Sequence, residues 1–72
     1  MTTFKQPQTH ENDAGDAYAI EHDLGNGWSF TMYDDGSAFI SSTLEGKRVD
    51  LSAAEVERLC ALLRDGAWEV AA

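Results

Sequence analysis

The first half of the chain alternates between apolar and polar positions. In "AYAIEHDL", residues 17–24, every second residue is larger or apolar, and the residues between are small or acidic. This period of two predicts a half-buried β-strand. "WSFTMY", residues 28–33, has the same pattern, and "SAFISST" (37–43) and "RVDL" (48–51) have strand composition. We therefore predict three or four strands.

Short turn sequences separate these runs. "GNG" at 25–27, "DDG" at 34–36 and "LEGK" at 44–47 contain the residues that tight turns require. Connections this short join antiparallel neighbours, so the strands should form a meander. The alternation places Glu21, Asp23, Thr31 and Tyr33 on the solvent face. The facing of the third strand stays open, because Phe39 and Ile40 are adjacent and cannot share a face.

After residue 51 the apolar spacing changes to that of a helix. Ser52 and Glu55 form a capping-box sequence, and Gly66 is the expected stop. One apolar stripe is expected at Val56, Leu59, Cys60 and Leu63. The predicted fold is α+β, an antiparallel meander with one C-terminal amphipathic helix packed on one face. Trp68 and Val70 are expected to cover the open side of the core.

The chain is long enough for a single domain. Its 72 residues should form an α+β domain over 17–72, preceded by a polar N-terminal arm over 1–16 with a short edge strand near Phe4. A chain of this size buries only about 60% of its unfolded surface, so we expect a thin core.

The net charge of the chain says more about its partners than any sequence motif does. The net charge is −8 and the sequence pI about 4.3. Residues 1–35 hold seven acidic residues against Lys5 alone, a net of −6, and residues 36–72 hold six against four bases, a net of −2. Such a field repels nucleic acid and membranes and attracts basic surfaces. The alternative is that the charge serves solubility alone.

No arrangement of residues indicates catalysis. Asp34 and Asp35 are adjacent in a predicted turn, where nothing separates their pKa values. Cys60 is the only cysteine, which excludes an intramolecular disulfide, and the two histidines lack zinc-type spacing. We expect no enzyme activity, cofactor or metal. With no disulfide, no apolar leader and no membrane-spanning run, we expect the protein in the cytoplasm.

Two segments carry a resemblance to a known family. "MTTF" at 1–4, and "ALLRDGAWEV" at 61–70 after an amphipathic helix, resemble the ends of a family of small acidic anti-CRISPR proteins active against type I-F systems. The resemblance covers about 25 residues and not the central meander. It implies a phage-encoded inhibitor that binds a CRISPR effector subunit, using clustered carboxylates as an acidic DNA mimic.

The leading hypothesis is therefore a non-enzymatic inhibitor that blocks target DNA binding. It would contact the basic surface of a type I CRISPR effector and bind no nucleic acid or membrane itself. The predicted partner-binding residues are Glu21, Asp23, Tyr33, Asp34 and Asp35, supported by Asp13 and Asp16. The alternative is a structural or accessory phage or bacterial protein that self-associates, for example as a homodimer, through a sheet edge or the Trp28/Trp68 surface.

Overall fold

A computed structural model describes residues 3–67. These residues form one five-stranded antiparallel sheet, with the strands side by side in chain order, followed by one helix. The predicted α+β meander with a single C-terminal helix is confirmed, with one strand more than the three or four expected. The elements are β1 (Gln8–Glu11), β2 (Ala17–Gly25), β3 (Trp28–Tyr33), β4 (Ala38–Ser42), β5 (Lys47–Leu51) and α1 (Ala53–Asp65).

The additional strand, β1, lies within the segment predicted as an arm. It pairs antiparallel with β2, from Gln8 opposite Glu21 to Glu11 opposite Ala17, with an irregularity after His10. The turn into β2 is fixed by Asn12, whose side-chain oxygen accepts the backbone N–H groups of Ala14 and Asp16 at 2.9 and 3.0 Å. Local bonds of this kind are typical of Asn in turns.

The β2–β3 connection is a two-residue turn. Asn26 and Gly27 both have positive φ, at 56° and 82°. These values match the type I′ hairpin turn, whose twist suits the flanking strands and which favours Asn-Gly. The turn prediction from "GNG" is thus confirmed.

The strand register defines two faces of the sheet. Thr31 lies opposite Glu21 on one side and Phe39 on the other, while Phe30 lies opposite His22 and Ile40. Phe39 therefore lies on the same face as the polar residues, and Ile40 lies on the other face. This answers the question that the sequence left open for the third predicted strand. We call the first set the polar face: Glu21, Asp23, Ser29, Thr31, Tyr33, Phe39, Ser41, Arg48 and Asp50. The apolar face is Ile20, His22, Leu24, Phe30, Met32, Ala38, Ile40, Val49 and Leu51.

The helix begins directly after β5 and contacts it. Ser52 accepts the backbone N–H of Glu55 at 3.2 Å, and the Glu55 carboxylate accepts that of Ser52 at 2.9 Å, which completes the predicted capping box. The expected apolar stripe is only partly covered. Val56 is buried, but Leu63 is 70% exposed and Cys60 is exposed instead of buried, since the contacts of α1 with the sheet are mainly to β5.

The core is thin, as expected for this length. Within residues 3–67 the buried apolar side chains are Ala19, Ala38 and Val56. On the apolar face, Ile20 is 41% and Val49 is 56% exposed. The radius of gyration is 14.2 Å, against about 11 Å for a compact chain of this size. Trp68 and Val70, expected to cover the core, lie outside the described residues.

Candidate protein-binding site

Two acidic turns lie at the same end of the sheet. One joins β1 to β2 and the other joins β3 to β4, and they are brought together because Ala19 pairs with Tyr33. The backbone N–H of Asp34 donates to the carbonyl oxygen of Tyr18 at 3.0 Å. We call the five exposed carboxylates gathered here the acidic end: Glu11, Asp13, Asp16, Asp34 and Asp35.

The basic residues of the sheet lie towards the opposite end. Lys47, the first residue of β5, pairs with Ser42, which pairs with Trp28. Trp28 is five residues before Tyr33, the residue of β3 that borders the acidic end. At about 3.3 Å per residue this is a separation of about 17 Å. Arg48 is also engaged locally, because its Nε and Nη2 donate to one oxygen of Asp50 at 2.9 and 2.8 Å. The sheet therefore carries its charge asymmetrically along the strands.

The adjacent aspartates have different roles. One oxygen of Asp35 accepts the backbone N–H of Ser37 at 2.8 Å and its hydroxyl at 2.6 Å. These bonds, the hydroxyl bond above all, hold the pKa of Asp35 below its ordinary value. Asp35 thus stabilises the turn in its charged form. Asp34 is exposed beside it, and its backbone rather than its side chain anchors the turn. Asp34 is the better candidate for contact with a partner.

One predicted site residue, Asp23, lies at the opposite end of the sheet from the acidic end. Asp23 is five residues further along β2 than Tyr18, about 17 Å away. Its carboxylate accepts the backbone N–H groups of Lys5 at 3.0 Å and Gly25 at 3.1 Å. These bonds, first that from Lys5, lower the pKa of Asp23. Asp23 therefore fixes the N-terminal segment against the β2–β3 hairpin.

Glu21 and Tyr33 line a shallow pocket of about 190 Å³ on the polar face. The Oε1 atom of Glu21 lies 3.1 Å from Nε2 of His10, across the β1–β2 pair. Thr31 is 4% exposed, and its hydroxyl is buried with no hydrogen-bond partner in the described structure. Besides Glu21 and Tyr33, the pocket is lined by His10, Tyr18, Ala19, Thr31 and Phe39.

An arginine already occupies the aromatic surface next to this pocket. The guanidinium carbon of Arg48 lies 3.9 Å from the centre of the Phe39 ring. Its hydrogen bond to Asp50 is the main reason that the pKa of Arg48 is raised. Phe39 in turn packs on Tyr33, with ring centres 5.8 Å apart. The polar face thus contains one arginine held between an aromatic ring and a carboxylate.

Metal-ligating side chains are not grouped in residues 3–67, where no three of His, Cys, Asp and Glu are placed to hold an ion. Within the same residues, α1 is too short and polar to span a membrane.

The sequence predictions missed three residues that the fold places near these sites. Glu11 joins the acidic end, and His10 and Tyr18 line the pocket. Tyr18 lies on β2, where the period of two grouped it with Ile20, whereas Glu11 and His10 lie on β1, which has no apolar residue to mark it. The one available signal was the alternation of Gln8 and His10 with Thr9 and Glu11.

Comparison of the chain with protein-family models, with curated proteins and with solved structures finds no match. The fold and the site geometry therefore carry the functional argument. They define a small α+β domain with an acidic end and a separate aromatic pocket on its polar face.

Proposed function

We propose that this chain is a non-enzymatic inhibitor that binds the basic, nucleic-acid-binding surface of another protein and prevents nucleic acid from binding there. The observation that carries the proposal is the acidic end, where two turns and the last residue of β1 present five exposed carboxylates at one end of the sheet. From the sequence resemblance, we further propose that the partner is a type I CRISPR effector in the cytoplasm of a bacterial host.

The spacing of the two turns supports joint action of their charges. One turn joins the first two strands and the other joins the third and fourth. Their centres are therefore two strand spacings apart, about 10 Å. This is slightly more than the Debye length of about 8 Å at physiological salt, so the two turns are largely screened from each other in water and act together by contacting the same partner surface. A row of negative charge at this spacing suits a groove that normally binds phosphates.

The physical advantage of such a surface lies in replacing phosphates. A basic DNA groove obtains much of its affinity from phosphate contacts and the counterions they release. Carboxylates can neutralise the same Lys and Arg side chains, and the net charge of −8 would steer the chain towards them. Association should consequently be fast and weaken as salt is added.

The proposal is tested by adding the purified chain to a type I effector before labelled target DNA. DNA retention on the effector should fall as the chain is titrated in. Retention that is unchanged at saturating chain, with the chain folded by circular dichroism, would contradict the proposal.

A second candidate, self-association, is favoured by the exposed part of the apolar face. Ile20, Leu24 and Val49 are 41%, 48% and 56% exposed. A self-associating accessory protein would cover these residues in a dimer. Sedimentation equilibrium separates the two candidates, because the inhibitor needs no dimer to present its acidic end.

A further inference from the structure

We propose that the pocket on the polar face receives an arginine side chain of the partner protein, bound by Glu21 and Thr31 and flanked by the rings of Tyr18 and Tyr33. This inference rests on the proposed function, because it assumes a basic partner. It concerns a different set of side chains, on the polar face beside the acidic end, and can therefore fail independently.

The unpartnered hydroxyl of Thr31 is the first observation behind it. Buried hydroxyls are nearly always hydrogen-bonded, and one left without a partner destabilises the fold. Thr31 is 4% exposed and lies in the lining of the pocket. The oxygen has almost no exposed surface in the unbound chain, so a guest that displaces the lining side chains and brings an N–H donor to the floor of the pocket would satisfy it.

The charge and shape of the pocket indicate which donor fits. Its polar lining offers Glu21, whose Oε1 lies 3.1 Å from Nε2 of His10, and within residues 3–67 the second oxygen of Glu21 accepts no hydrogen bond. Aromatic rings attract cations over their faces, arginine more often than lysine. The space open to the centre of a water-sized sphere is about 190 Å³, whereas one water requires roughly 10–15 Å³ of such space. A planar guanidinium on an alkyl chain therefore suits it better than a single water or a bare ion.

The molecule itself contains the arrangement that we infer. Arg48 lies over Phe39 at 3.9 Å and donates two N–H groups to Asp50. Phe39 also lines the pocket, and Tyr33 packs on it. Tyr33 is also close enough to Arg48 to contribute to its raised pKa, so the ring and carboxylate that this arginine leaves free in the pocket lining are Tyr18 and Glu21. Arginine favours such sites because it can stack and donate several hydrogen bonds at once.

The test uses blocked arginine, N-acetyl-arginine methylamide, titrated into the ¹⁵N-labelled chain and followed by NMR. We expect the largest amide shifts at Glu21, Thr31 and Tyr33, with saturation in the millimolar range. Blocked lysine should bind more weakly, and the neutral isostere, blocked citrulline, should cause no saturable shift. Shifts located elsewhere, or equal binding of arginine and citrulline, would overturn the inference. Equal binding of lysine would overturn the assignment to arginine.

Two variants and one control separate binding from folding. Glu21→Gln should weaken arginine binding about fivefold, the upper range for a half-exposed ion pair. Thr31→Val should weaken it about threefold without lowering the unfolding midpoint, since it removes an unpartnered hydroxyl. Asp13→Asn, at the acidic end, should leave the binding unchanged. Wild-type affinity in both pocket variants would contradict the inference.

The outcome also distinguishes this inference from the proposed function. If the chain displaces DNA from the effector but does not bind blocked arginine, the pocket inference fails and the inhibitor proposal stands. If blocked arginine binds at the pocket while DNA retention is unaffected, the arginine pocket is retained for a different basic partner and the inhibitor proposal fails.

Discussion

Reversing the charge of Asp13 and Asp34 together should weaken partner binding at least about tenfold. Each lies in a different turn of the acidic end, so the double variant carries a positive charge in both turns. Four units of charge are changed next to a basic groove, and juxtaposed like charges cost several kcal/mol at interfaces. The assay is DNA retention by the effector, with circular dichroism to show an intact fold. Asp35 is left in place because it holds the turn through Ser37.

A matched control has the same change in net charge at other positions. Glu45→Lys with Asp65→Lys also adds four units, in the β4–β5 turn and in the last turn of α1. This double variant should inhibit nearly as well as wild type, with a small loss from weaker long-range steering. Equal loss in both double variants would indicate that net charge, rather than the acidic end, is responsible, and would contradict the account.

Replacing Gly27 with alanine should destabilise the fold by about 1–3 kcal/mol. Its φ is +82°, in the region where residues with a side chain are strained by this order of energy. An added Cβ would also lie 2.7 Å from Cγ of Leu44. Leu44 is 78% exposed and can move aside, so the backbone strain should be the larger contribution. Urea unfolding followed by circular dichroism measures the change in the free energy of unfolding.

Gly46→Ala is the control for that substitution. Gly46 also has a positive φ, +65°, but no atom of residues 3–67 lies within 4 Å of an added Cβ. It should destabilise the fold less than Gly27→Ala, since it lacks the contact with Leu44 and lies nearer the left-handed minimum that other residues adopt. If Gly46→Ala is the more destabilising of the two, this account of the β2–β3 turn is wrong.

The turns and the helix ends were predictable because local chemistry determines them. Asn26 and Gly27 adopt the positive φ that the turn requires. The side chains of Ser52 and Glu55 each accept the other's backbone N–H at the start of α1. None of these features requires knowledge of distant residues. The facing of Phe39 was not predictable, because it follows from the β3–β4 register. The same holds for Cys60, whose exposure depends on how far the sheet extends beneath the helix.

The composition of the candidate site was only partly predictable for the same reason. Asp13, Asp16, Asp34 and Asp35 do lie together, and the hairpin predicted around residues 25–27 already separates Asp23 from Asp34 and Asp35. The sequence did not show that Glu11 joins the acidic end, because this follows from β1 and its pairing with β2. The pocket required three strands to be in register before His10, Glu21 and Thr31 could be recognised as neighbours.

Zero-length carbodiimide cross-linking of the chain to a type I effector tests the central claim most directly, because it joins carboxylates only to lysines in immediate contact. Peptide mass spectrometry should place the cross-links at residues 11–16 and 34–35 of the chain, and at lysines of the DNA-binding groove on the effector. Bound DNA should abolish them. Cross-links that map instead to Glu45, Glu57 or Asp65, or that persist with DNA bound, would contradict the account.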